Sequence, residues 1–95
     1  MAAYVIADVE VTNPAGYEPY RARAGASIAQ YGGRFVVRGG AAERLEGPDE
    51  PARLVVIEFA DAAAARRWYH SPEYQKAIPI RQANSRGRVF LVEGA

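Results

Sequence analysis

Ninety-five residues with 49% apolar side chains suffice for one globular domain and not two, and at this size the core is modest. The charge is +1 and well mixed, with eleven Arg and one Lys against eleven acids; no basic run or stripe develops, which excludes the electrostatic footprint of nucleic-acid binding. There is no cysteine, hence no disulfide framework and no thiolate metal site, no basic n-region precedes Asp8, and no apolar run approaches the roughly 18–20 residues of a membrane span, so a cytoplasmic protein without a membrane partner is expected.

Tyr4 to Val11 is β-rich. Val5, Ala7, Val9 and Val11 share one parity and form a clean core face; Tyr4, Ile6, Asp8 and Glu10 share the other. Asn13 can cap a helix, with Pro14 in its first turn. Tyr17, Tyr20, Ala24, Ile28 and Tyr31 then recur at steps of three or four, a single apolar stripe. Pro19 and Gly25 are expected to make this helix irregular, and Gly32-Gly33 to stop it.

Arg34 to Arg38 predicts the second strand. Phe35 and Val37 fall on one face, Arg34, Val36 and Arg38 on the other. Gly39-Gly40 bends or ends it, and Ala41 to Leu45 offers a weaker continuation. Glu46 to Pro51 is turn chemistry. Leu54 to Ala60 is the most apolar strand, with Glu58 on the face of Leu54 and Val56. Asp61 caps a helix through Tyr69. Ser71-Pro72 restarts it, Ser71 as N-cap and Pro72 in the first helical position, and the short helix runs to about Ala77. Pro79 is expected to interrupt and Gly87 to end the helical region. Arg88 to Glu93 predicts the last strand, Val89, Leu91 and Glu93 on one face and Phe90 and Val92 on the other.

The order βαββαβ, closed with right-handed crossovers, predicts an α+β, ferredoxin-like protomer: a four-stranded antiparallel sheet with the helices on one face. The uncovered face would still carry Tyr4, Ile6, Leu54, Val56, Val89 and Leu91. An apolar sheet face left in water is an interaction site, so a homodimer with the sheets packed face to face is expected.

No strong catalytic motif is present. One His and no Cys exclude a His-rich or thiolate zinc site. No Gly-x-Gly-x-x-Gly loop or P-loop occurs, so neither a cofactor nor a metal is expected. Asp8, Glu10, Glu58 and Glu93 are strand carboxylates that could pair as acid and base, or pair structurally with Arg38, Arg53 or Arg88. His70 is a general acid or base at a pocket mouth, or a partly exposed residue at a helix junction. Tyr17, Tyr20 and Tyr31 bring three hydroxyls into a small core, where they need partners or line a polar cavity. Arg34, Arg38 and Arg81 are candidates to hold an anion there. Trp68 and Tyr74 are core or pocket wall.

The segments 31–40, Glu46-Gly47, Val55 to Phe59, Ala65 with Trp68-Tyr69, Ser71 to Gln75, Arg81 and Val92-Glu93-Gly94 together resemble the domain-of-unknown-function family 1330, across essentially the whole chain. The resemblance implies a dimeric α+β barrel, two ferredoxin-like protomers closing a barrel across their sheets. It implies no single activity. Its motif positions suited to a pocket are Arg38, Trp68, Tyr69, Ser71, Tyr74 and Arg81, with Tyr20 beside them.

Three readings stay open. The first is a cofactor-independent enzyme acting by proton transfer, isomerisation, cyclisation or oxygenation on an aromatic, lactone or polyketide-like metabolite. In it Arg38 or Arg81 holds an anionic or enolate oxygen, and His70, Glu58 or Tyr74 moves the proton. The second is a binding or stress-sensing module that takes a small acid without turnover. The third is a structural dimer whose aromatics are all core.

Overall fold

A computed structural model describes residues 1–95. Eight elements follow in order: β1 (Ala3–Val11), α1 (Pro14–Gln30), β2 (Arg34–Arg38), β3 (Leu54–Phe59), α2 (Ala62–Tyr69), α3 (Pro72–Gln75), α4 (Ile78–Asn84) and β4 (Ser85–Glu93). The strands form one antiparallel sheet in the order β2-β3-β1-β4. Taking α2 to α4 as one broken connection, this is the ferredoxin-like α+β fold that the order of elements predicts.

Local chemistry sets the element ends. The Asn13 side chain accepts from the Gly16 amide, and Pro14 fills the first turn. Gly32, at φ +79°, takes the left-handed turn that releases the chain into β2. The Asp61 carboxylate accepts from the Ala64 amide at 2.7 Å. Ser71 Oγ accepts from the Tyr74 amide at 3.2 Å and donates to the Trp68 carbonyl at 2.6 Å. That one hydroxyl therefore ends α2 and starts α3.

The core lies between the sheet and the helices. Val5, Ile57 and Phe59 from the strands meet Ile28, Ala65 and Trp68 from the helices. Trp68 is the largest fully buried side chain. Its Nε1 donates to Ser27 Oγ at 3.0 Å, and Ser27 Oγ donates to the Ala24 carbonyl at 2.9 Å, so the indole N–H is satisfied inside the core.

Several expectations are corrected. Val36 is a bulge residue: Phe35 pairs with Ile57, but Val37 pairs with Val56 and Arg38 with Val55. The extra residue reverses the alternation, so Arg38 turns to the helix-covered face and Val37 to the open one. Val89 and Leu91 do not belong to the open face. They pair with Ala7 and Val5, and paired residues in an antiparallel sheet share a face. Phe90 and Val92 take their place. Ala41 to Leu45 does not continue β2; it lies in the exposed β2–β3 connection, where Leu45 is 85% exposed. Gly87 does not end a helix, since β4 already begins at Ser85 and Gly87 pairs with Val9. A Cβ there would lie 2.3 Å from the Asp8 carbonyl oxygen, which explains the glycine as close strand approach. Pro79 opens α4 in its first turn, where it needs no N–H partner, instead of interrupting a helix. Likewise α1 runs unbroken through Pro19 and Gly25.

The open face carries Tyr4, Ile6, Val56, Val37, Phe90 and Val92, with Phe90 51% and Val92 45% exposed.

Candidate functional site

A cavity of about 60 Å³ lies between the helix layer and the sheet, in contact with α1, α2, α3, α4 and all four strands. Of its 17 lining residues 13 are hydrophobic, and the remaining four are all arginine: Arg21, Arg38, Arg53 and Arg81. No Asp, Glu or His lines it. Tyr17 and Tyr20 enter from α1 and Tyr74 from α3.

The stripe spacing of α1 explains why Tyr17, Tyr20, Ala24 and Ile28 face this space. Arg21 stands four residues after Tyr17, on the same side. Arg38 arrives through the β2 bulge, its guanidinium 4.2 Å from the Phe35 ring centroid, a cation–π contact beside the cavity that both residues line.

Three ion pairs occur in the protein, and they use Arg21, Arg34 and Arg86. Arg38, Arg53 and Arg81 therefore reach the cavity without a carboxylate partner. Arg81 Nε is the one buried side-chain nitrogen or oxygen that lacks a hydrogen bond. Buried polar groups are nearly always satisfied, so such an atom calls for a partner.

The Tyr20 and Tyr74 hydroxyls lie 2.7 Å apart, and either can donate. Burial pushes the Tyr20 phenol far above its ordinary range, reinforced by Tyr74 and opposed by Arg81. Burial also raises Tyr74, against the Tyr20 hydrogen bond and the Arg81 charge. Tyr17 is raised by burial as well, against Arg53, Arg21 and Arg81. At neutral pH all three are protonated phenols. The cavity thus offers cationic and neutral donors against an apolar wall, an environment suited to an oxyanion.

The sequence-predicted residues separate into four places. Tyr20, Arg38, Trp68, Tyr74 and Arg81 come together around the cavity. Tyr69 and His70 stand beside a groove of about 300 Å³ between α2 and β4; their rings are T-shaped, 5.2 Å apart. Ser71 is buried and committed to capping. Glu58 lies on the open sheet face, where Oε1 accepts from Arg34 Nε at 2.7 Å and Oε2 from the Tyr4 hydroxyl at 3.1 Å. Two of the other strand carboxylates are spent similarly: Glu10 pairs with Arg86 at 2.6 Å, and Asp8 accepts from the Ala52 amide at 3.0 Å; Glu93, at the end of β4, does not line the cavity. Tyr31 bonds Glu73 and leaves the cavity to its neighbours on the stripe. No group of three or more His, Asp or Glu side chains is placed to hold a metal ion.

Sequence reasoning missed Arg21 and Arg53 as lining residues. Both had a signal: Arg21 falls on the Tyr17 stripe, and Arg53, the residue just before β3, continues the parity of Val55 and Ile57.

The family described as "Domain of unknown function (DUF1330)" matches residues 2–95. No curated protein matches the chain. Among solved structures, a protein of unknown function from Rhodopseudomonas palustris is similar with a TM-score of 0.81 at 20% identity, over 99% of this chain and 82% of the other. A dimeric ferredoxin-like protein of unknown function from Jannaschia sp. CCS1 superposes with a TM-score of 0.72 at 17% identity, over 99% and 100% of the two chains. SnoaB, a cofactor-independent oxygenase from Streptomyces nogalater, superposes with a TM-score of 0.67 at 24% identity, over 99% and 93%. At these identities the likeness is one of fold.

Proposed function

This chain belongs to the DUF1330 family, and from that premise we propose that its 95 residues act as one cytoplasmic domain, a homodimer that binds a small organic anion in the cavity between helices and sheet. The observation that carries the reading is Arg81, whose Nε is buried without a partner at a cavity lined by no carboxylate. An anionic ligand would supply the missing acceptor. In this reading Arg38 closes over it, the hydrogen-bonded Tyr20–Tyr74 pair donates its one free hydroxyl proton to it, and Trp68 packs behind it.

The dimer half of the proposal rests on the open sheet face. Phe90 and Val92 are exposed beside Ile6 and Val56, and covering such a face with a second copy removes it from water. A similar fold in Jannaschia sp. CCS1 is described as dimeric, which supports the same assembly.

A catalytic version has one observation in its favour. Guanidinium and neutral phenol donors without a competing base favour the ionised form of a weak acid, as an enolate-stabilising site must. The fold likeness to SnoaB, a cofactor-independent oxygenase, points the same way. In this version Arg38 or Arg81 holds the enolate oxygen, His70 from the adjoining groove takes the proton whose loss forms the enolate, and Tyr74 is the donor that returns one. Glu58 and Ser71 take no part.

Melting curves with small carboxylates, phenols and β-dicarbonyls test the reading. Ligand at a hundredfold excess over Kd stabilises by about 2.7 kcal/mol, which raises the Tm of a domain this size by several degrees or more. Arg81→Gln is expected to abolish the shift. No shift with any acid sinks the proposal. Ligand recovered unchanged after incubation identifies a binder, and ligand consumed identifies an enzyme.

A further inference from the structure

We infer that the arginine-lined cavity and the α2–β4 groove are two halves of one site, which takes an amphiphilic monoanion: an acid head in the cavity and an apolar tail along the groove. The inference rests on the reading of the cavity as an anion site. The cavity alone, at about 60 Å³, is well below the roughly 300–1,000 Å³ of sites that enclose a whole metabolite. It has room for an acid group and a few atoms more. The groove is larger, about 300 Å³, and more open; six of its eight lining residues are hydrophobic, the other two being Arg66 and His70, and it holds no unpaired buried polar atom.

Two continuities join them. Val5 and Val89 line both spaces. They lie on neighbouring strands, and both point to the helix-covered face, so the valine floor of the cavity runs on into the groove. The opposite side is a chain of rings. Tyr20 lies 6.2 Å from Tyr74, Tyr74 lies 5.6 Å from Tyr69, and Tyr69 lies 5.2 Å from His70, centroid to centroid. The first two belong to the cavity and the last two to the groove. An alkyl or aryl tail leaving the Arg81 end would lie between an aliphatic floor and an aromatic wall. It would also cover Leu91, 39% exposed on the helix-covered face of edge strand β4.

Residues two apart on one face of a strand are separated by about 7 Å, and adjacent strands by about 5 Å. The distance from the middle of the cavity, near Ala7, to the groove, near Leu91, is therefore that of a medium-length chain. The class of ligand is a straight-chain or arylalkyl carboxylic acid.

Calorimetric titration of the full chain with acetate, butyrate, hexanoate and octanoate tests this. Affinity is expected to rise about fourfold for each methylene that enters the groove. Leu91→Trp, which fills the groove, is expected to erase the gain of octanoate over butyrate, and Arg81→Gln to weaken every acid in the series. Methyl NMR gives a readout that needs no variant: octanoate should shift the Leu91 methyls and acetate should not. Short acids that bind with no gain along the series, or a gain that survives Leu91→Trp, overturn the two-part site and leave the anion reading standing. If no acid binds at all, both are overturned.

Discussion

Arg81 holds opposing roles at one position. Its Nε is buried without a hydrogen bond, and an unmet donor inside a fold costs about 1–3 kcal/mol. Its charge is also what the cavity offers a ligand. Arg81→Met is therefore expected to keep or raise stability, by about 1 kcal/mol, while removing the ligand-induced Tm shift; denaturant melts with and without acid read both effects. The phenols supply a second test at this scale. Tyr20 and Tyr74 are both raised from 10.0 by burial. In the unfolded chain they ionise near pH 10, so above that pH the unfolded state binds fewer protons than the native one and stability falls. Unfolding free energy is expected to be insensitive to these groups below about pH 10 and to decline above it. Tyr20→Phe should make the alkaline decline shallower. Arg38, Arg81, Tyr20 and Tyr74 were legible as candidates from residue type and spacing. That Glu58 faces away from them required the strand pairing.

At the scale of elements, the Ser71 turn and the β2 bulge do the positioning. Ser71 bonds both the end of α2 and the start of α3, which sets Trp68 and Tyr74 with ring centroids 4.1 Å apart. Ser71→Ala is expected to cost about 1 kcal/mol, as cap deletions do, with acid binding weakened only as far as Tyr74 shifts. Trp68→Ala removes the largest fully buried side chain and is expected to cost about 3–5 kcal/mol, a large share of the roughly 5–15 kcal/mol that holds a folded domain together; circular dichroism against urea measures both. The Ser71-Pro72 cap could be read from the sequence because capping is local. The Val36 bulge could not, because Phe35-Val36-Val37 is an unbroken apolar run in which no alternation marks the extra residue, and only pairing against β3 exposes it. The same holds for β4, where the faces of Val89 and Leu91 followed from the register with β1.

For the whole molecule, one sheet face is covered by helices and the other is open. Sedimentation at micromolar concentration is expected to give about twice the 10.3 kDa chain mass. Ile6→Asp, in β1 at the sheet interior, would place an uncompensated carboxylate in the proposed interface and should yield the monomer. A monomeric wild type would remove the barrel assembly and leave the cavity reading untouched, since every lining residue comes from one chain.

Element order, helix caps, the apolar stripe of α1 and the βαββαβ topology were all available in the linear chain, because each depends on neighbours within a few residues or on the 2.0 and 3.6 residue periods. Which side chains share a face across strands depends on register, and one bulge residue or one shifted start inverts it. That physical difference explains the division at the cavity. The chain announced its tyrosines and arginines; folding selected Arg38 by a bulge and Arg53 by strand parity, and left the Arg81 Nε buried and without a hydrogen bond among them.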